Sequence, residues 1–311
     1  MFQLYKQRSF SDLINDTFLF FKSTGKNYFR NYFIINGGIL LILILLIYIV
    51  SKVFFDGLFS SFGTPNAVQI VEDYFSDNLG YFIATSIVTG IVIILLTMLS
   101  YSFPVIYLKL METNEKPETS QIAAALKAKA GKIIIFALLS LVTFIPIAAI
   151  CTAICTILVF VLIGIPLFII VVAALTCWIF LSFFDYLNND TDYFTAMGNG
   201  YRMLMNKFWH YTGVTAIFFL IVYIVHSIIS FIPYFIGMFS MFTERINDSE
   251  NMDLSFFGIM MLITIILSVL LSFVLTNLTI INQGIIYYSS LENQQNTTLH
   301  SDIDQIGTDS E

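Results

Sequence analysis

Residues 133–184 read IIIFALLSLVTFIPIAAICTAICTILVFVLIGIPLFIIVVAALTCWIFLSFF, with no Asp, Glu, Lys or Arg among them. A helix crosses the hydrocarbon of a bilayer with about 20 apolar residues, so uncharged runs of that length mark spans. This run is far too long for one span and has the length of two joined by a turn. Gly164 and Pro166 are the natural turn residues. The chain reads as a polytopic membrane protein.

Composition agrees. Of 311 residues, 58% are hydrophobic and 11% charged, whereas soluble domains carry about 25% charged residues. Mean hydropathy is +0.85. A water-soluble fold has no means of hiding that much apolar surface, so lipid must solvate much of it. The expected fold class is all-α: a polytopic membrane helical bundle of about six transmembrane helices with short amphipathic interfacial helices. Uncharged runs place the spans at 34–50, 81–108, 133–160, 166–184, 212–238 and 256–281. The expected organisation is an N-terminal amphipathic segment over 1–32, a six-span membrane domain over 33–288 and a disordered acidic tail over 289–311. Pro146 leaves open a re-entrant piece within 145–166. The first apolar run is a full span, longer than a signal-peptide core.

Charge placement sets an orientation. Lys6, Arg8, Lys22, Lys26 and Arg30 precede the first span. Lys109, Lys116, Lys127, Lys129 and Lys132 lie between the second and third, and Arg202 and Lys207 between the fourth and fifth. Of the 14 basic residues, only Lys52 and Arg245 fall on the other side. Basic residues of short loops stay in the cytoplasm. The expectation is a multi-pass protein of the cell (inner) membrane with both termini cytoplasmic. The other side is acidic, with Asp56, Glu72, Asp73 and Asp77 in one segment and Glu244, Asp248, Glu250 and Asp253 in another.

Each cytoplasmic segment that precedes a pair of spans has helical periodicity. The first aligns Phe10, Leu13, Ile14, Thr17, Phe18 and Phe21, with Ser9 and Asp12 spaced as a capping box. The third aligns Tyr193, Met197, Tyr201, Leu204, Met205 and Phe208 behind the cap residue Asp192. The second is weaker, with Ile122, Ala125, Leu126 and Ala130. The chain thus reads as three units of one short helix plus two spans, starting unevenly near Ser11, Ser120 and Thr195. Such helices either lie in the headgroup layer or pack against the bundle as elbows. On the first reading Lys22, Lys26, Arg30, Lys127, Lys129, Lys132, Arg202 and Lys207 are candidate contacts to anionic headgroups.

Chemistry is sparse. An ionisable group inside a span is the best pointer to a transport path. His226, near mid-span, is the one candidate, with Tyr223, Ser227 and Ser230 as helical neighbours. It reads as an interhelical hydrogen-bond former rather than a titrating group. Asn277, Asn282 and Gln283 have the same reading, as polar contacts between helices. Cys151, Cys155 and Cys177 sit in apolar runs as small packing residues. The histidines lack metal-ligand spacing, and phosphate-loop, dinucleotide and nucleophile-elbow motifs are absent. No enzyme activity and no cofactor are expected. Membrane lipids are the expected partners, with other membrane proteins as a further class, and nucleic acid is not expected. Two functions fit: a non-enzymatic lipid-contacting or partner-organising membrane module, and a transporter or channel for an unidentified solute.

Two stretches carry a resemblance. One is Ser11-Asp12-Leu13 through Thr17, Phe20, Phe21 and Lys22 to Tyr28 and Phe29. The other is Tyr193-Phe194-Thr195-Ala196 through Gly200-Tyr201 and Leu204 to Lys207-Phe208-Trp209. Together they resemble a bacterial six-helix integral membrane family that includes the membrane domain of some glycerophosphoryl diester phosphodiesterases. The resemblance implies a six-helix architecture over residues 9–290. The catalytic domain of those enzymes has no counterpart in this sequence, so their activity is not implied.

Overall fold

A computed structural model describes residues 2–59, 66–159, 164–246 and 255–295. The described residues are helical throughout, apart from short connections. The helices are α1 (Phe10–Phe59), α2 (Ala67–Met111), α3 (Thr119–Val159), α4 (Gly164–Asn188), α5 (Tyr193–Asn206), α6 (Phe208–Ile246) and α7 (Ser255–Gln295). All but α5 are long and apolar enough to cross a membrane. Each expected span falls within one of these six, except that Phe160, the last residue of the third, lies outside the described residues, so the polytopic all-α class holds.

The helices run well past the spans. An uncharged run marks only the part of a helix that lipid can solvate. The backbone ladder continues wherever no residue breaks it. Residues 1–32 are therefore not a separate element: α1 passes from Phe10 through the 32/33 boundary without interruption, since nothing between Lys22 and Ile34 stops a helix. The second amphipathic segment is likewise the opening of α3. Only the third is a helix of its own. Asp192 caps α5, accepting from the Thr195 amide at 3.0 Å, and Lys207 ends it with φ −137° and ψ 50°. At the start of α1 the capping box forms in both directions. The Ser9 amide donates to Asp12 at 3.1 Å, and the Asp12 amide donates to Ser9 Oγ at 3.3 Å.

Pro146 lies inside α3, which continues to Val159, so no re-entrant piece occupies 145–159. Residues 160–163, which follow, lie outside the described residues. Gly164 opens α4 so close to the end of α3 that a Cβ there would strike backbone atoms of Cys155, Leu158 and Val159. Only glycine admits that approach. The start of the expected tail is also helix, because α7 extends to Gln295. Residues 296–311 and the acidic Asp248, Glu250 and Asp253 lie outside the described residues.

The chain divides into two compact units. The first comprises Met1–Ile35, Met98–Val222 and Thr276–Glu311, and the second Asn36–Thr97 and Tyr223–Leu275. The first unit has an aromatic core. Tyr28 meets Phe103 and Tyr107 edge-on at 5.2 and 4.9 Å between ring centres, and Tyr32 meets Phe103 at 5.4 Å. Such pairs add about 0.5–1.5 kcal/mol each beyond burial. The second unit has a thin core of Leu40, Leu43, Ile47 and Leu96 packed by Ile265, Ile266 and Val269. Its outer helix faces show Leu41, Leu45, Ile87, Ile91, Ile94 and Ile228. Apolar surface of that extent is at home only in lipid.

Candidate functional site

One stretch in the C-terminal half of α7 is buried on every side. Residues 279–290 are all buried although Asn282, Gln283, Ser289 and Ser290 are polar. Asn282, Gln283 and Ser289 survive there because they bond to other parts of the fold. Tyr28 of α1 donates its hydroxyl to Asn277 Oδ1 at 2.5 Å. Asn282 Nδ2 donates to Thr17 Oγ1 at 3.0 Å and, more weakly, to the Leu13 carbonyl. Gln283 Nε2 donates to Thr215 Oγ1 of α6 at 2.9 Å. In the second unit, His226 Nε2 lies 3.2 Å from the Ser268 carbonyl of α7, beside a Ser230–Ser268 hydroxyl contact of 2.9 Å. The structure thus places all four of these residues in interhelix bonds.

A second polar centre was not legible as such. Arg8 is buried, with its side chain fully inaccessible. Its Nε donates to Asp16 Oδ2 at 2.8 Å. Its Nη atoms donate to the carbonyls of Leu4 at 2.8 Å, Lys6 at 3.2 Å and Gln3. Its backbone N–H donates to Ser289 Oγ of α7 at 3.1 Å. Burial pushes the guanidinium below its ordinary pKa, and Asp16 opposes that shift. Nearby, Tyr5 and Tyr288 both donate to Glu112 Oε1, at 3.1 and 3.0 Å, while Lys109 donates to Oε2 at 2.8 Å. Burial first, and Glu112 second, push the Tyr5 phenol up. The N-terminal residues therefore bind to α1, to Glu112 just past the end of α2, and to α7. The signal in sequence was Asp16, which falls between Leu13 and Phe20 on what proves to be the buried face of α1. Apolar periodicity alone puts Phe18 on that face. Phe18 is exposed, and Phe20 is buried instead.

Asp185 is the third centre, one residue beyond the expected end of the fourth span. It is buried and accepts from Asn189 Nδ2 at 2.7 Å, Asn199 Nδ2 at 2.9 Å and Thr191 Oγ1 at 3.4 Å. Neutral donors solvate this carboxylate and join the end of α4 to α5. Further contacts hold α5 to α4. Trp178 Nε1 donates to the Met197 carbonyl at 3.0 Å, and Gly200 lies directly against Ser182.

The eight basic candidates separate into two groups. Lys129 and Lys132 are not free headgroup contacts. Lys132 donates to Asp190 at 2.7 Å, Lys129 lies 3.7 Å from the same carboxylate, and Lys129 also donates to the Leu187 carbonyl. They close the exposed carbonyl end of α4, where cations are favoured. The other six differ. Lys22, Lys26 and Arg30 are exposed at four-residue intervals along one face of α1. Lys127 and Arg202 are exposed, and Lys207 is half-buried at the end of α5. The expected α5 stripe also separates. Tyr193, Met197 and Leu204 face inward, whereas Tyr201 and Met205 are exposed, as are Phe194 (71%) and Trp209 (70%).

Comparison of the chain with protein-family models, with curated proteins and with solved structures finds no match.

Proposed function

We propose that this is a non-enzymatic module of the inner membrane that engages anionic lipid, with its basic end and both termini at the cytoplasmic face. The supporting observation is the exposed ladder of Lys22, Lys26 and Arg30, which forms no ion pair among the described residues, in contrast to Lys129 and Lys132. The Lys and Arg bias between spans supports the orientation. Exposed Phe194, Tyr201 and Trp209 beside exposed Arg202 fit an interface where aromatic rings meet headgroups. The resemblance to the six-helix family fits the same picture and supplies no reaction.

Each basic group near an anionic surface contributes about 1 kcal/mol. Three of them amount to about 3 kcal/mol, a factor of roughly 150 in affinity. The test is native mass spectrometry of protein ejected from nanodiscs of mixed phosphatidylglycerol and phosphatidylcholine. Retained phosphatidylglycerol is expected to fall sharply in Lys22→Gln/Lys26→Gln/Arg30→Gln. Equal retention by variant and wild type refutes the proposal. A saturable solute flux in proteoliposomes that His226→Ala abolishes would favour the transporter reading instead.

A further inference from the structure

In the first unit, α6 and α7 share a seam with more polar groups than the protein satisfies. Tyr211, Thr212 and Thr215 lie at the start of α6. Gln283, Ser290 and Asn293 fall on one stripe of α7 at helical spacing. Gln283 Nε2 bonds Thr215, and the Thr215 hydroxyl donates to the Tyr211 carbonyl at 2.8 Å. Beyond those bonds, Thr212 Oγ1 and Gln283 Oε1 are buried without a protein partner, and Tyr211 OH, Ser290 Oγ and Asn293 Nδ2, which interact with one another, make no bond of good geometry. Tyr211, Thr212, Gln283 and Ser290 are each at most 1% exposed. The Tyr211 hydroxyl faces Ser290 and Asn293, so several of these groups point to one place.

Buried polar groups in native proteins are nearly always satisfied, by protein or by ordered water that makes about three bonds. The orphaned set mixes donors and acceptors and includes no charged side chain, which suits water rather than an ion. Exchanging the assigned N and O of an amide leaves that mixture unchanged. Along α7, Gln283 to Asn293 covers about 15 Å. That is too long for one small solute and suits a file of several waters. The free thiol of Cys177 borders the seam, against Thr215 and near Tyr211.

We infer that the α6–α7 seam is a hydrated crevice in which ordered waters bridge Tyr211, Thr212, Gln283 and Ser290 and wet the buried Cys177 thiol. X-ray hydroxyl-radical footprinting of the intact protein in nanodiscs tests it, because radicals formed from bound water oxidise neighbours that bulk solvent never reaches. Tyr28 is the internal reference. It is as buried as Tyr211, but its hydroxyl is bonded to Asn277. Tyr211 is expected to oxidise several-fold faster than Tyr28. Ser290→Ala gives an independent sign. Removing a dry, unsatisfied hydroxyl raises the melting midpoint, whereas removing one that holds a water does not. Either a Tyr211 rate no greater than that of Tyr28 or a raised midpoint in Ser290→Ala overturns the inference.

Discussion

Replacing Arg8 with Met is the sharpest test of how the N-terminal residues are held. The guanidinium is fully enclosed, while the Asp16 side chain keeps 12% exposure. Met matches much of the volume but leaves Asp16 and the carbonyls of Gln3, Leu4 and Lys6 without their donor. Removing one partner of a buried ion pair costs about 3–5 kcal/mol, because the other charge remains uncompensated. Lys6 also reaches Asp16, at 3.3 Å, but its side chain is 42% exposed. A pair of that kind recovers no more than about 1 kcal/mol. The expected loss is therefore about 3 kcal/mol. Arg8→Lys should not restore it, since an ammonium lacks the fork that serves Asp16 and three carbonyls together. The double variant Arg8→Met/Asp16→Asn should lose less than the sum of the single variants, with a coupling of about 1–3 kcal/mol. The assay is denaturant unfolding in lipid–detergent micelles, with hydrogen exchange of residues 2–9 as the local readout. A loss under about 1 kcal/mol in Arg8→Met, or strict additivity in the cycle, refutes the argument, because either places Arg8 effectively in water.

Two further predictions concern α4, in its packing on α5 and its junction with α3. A Cβ at position 200 would meet the Ser182 amide nitrogen at 2.7 Å and its Cα at 2.9 Å. The Ser182 hydroxyl is nearer still, but the backbone contacts remain when it is removed, so Gly200→Leu should destabilise by about 1–3 kcal/mol, and Ser182→Ala should not fully rescue it. In a Trp209→Phe background the emission of Trp178, which bonds Met197, should shift as α5 lifts; an unchanged spectrum and melting midpoint would contradict the packing. Acid should act on the α3–α4 junction. The hydrogen bond from Lys132, then the charge of Lys129, holds the exposed Asp190 carboxyl below its ordinary pKa. A lowered folded value means that the contribution is present above the unfolded value of about 3.9 and fades as pH falls through the folded one. Asp190→Asn should therefore be slightly less stable than wild type at neutral pH, with the gap closing in acid. A gap that widens in acid would show the sign to be wrong.

What was legible in sequence differs between elements for physical reasons. Helix existence was legible because a bilayer tolerates only long apolar runs with internally bonded backbone. Ser9–Asp12 and Asp192 were legible because a cap depends on residues three apart. Helix ends were not: apolarity stops where lipid stops, while α1 and α7 continue with protein around them. The stripe on α1 was misplaced because aromatic residues occur on both faces, and only packing shows that Phe20 is buried while Phe18 is exposed. The α5 stripe misled similarly, since a helix at such a site has apolar residues both toward the bundle and away from it.

The fate of the charges divides the two levels most clearly. Sequence alone determined that six apolar helices form and that Lys and Arg gather on one side, because both follow from local composition and the properties of the bilayer. It also marked Asn277, Asn282, Gln283 and His226 as groups needing partners, since a polar side chain in a span must bond to something. Which partner each takes was decided only by the tertiary structure. The same holds for Arg8, turned inward to Asp16, for Lys132, drawn to Asp190, and for Lys22, Lys26 and Arg30, left outward. A basic residue is solvated by water, lipid phosphate or a buried carboxylate according to what the fold brings beside it, and that proximity joins positions as far apart as Arg8 and Ser289.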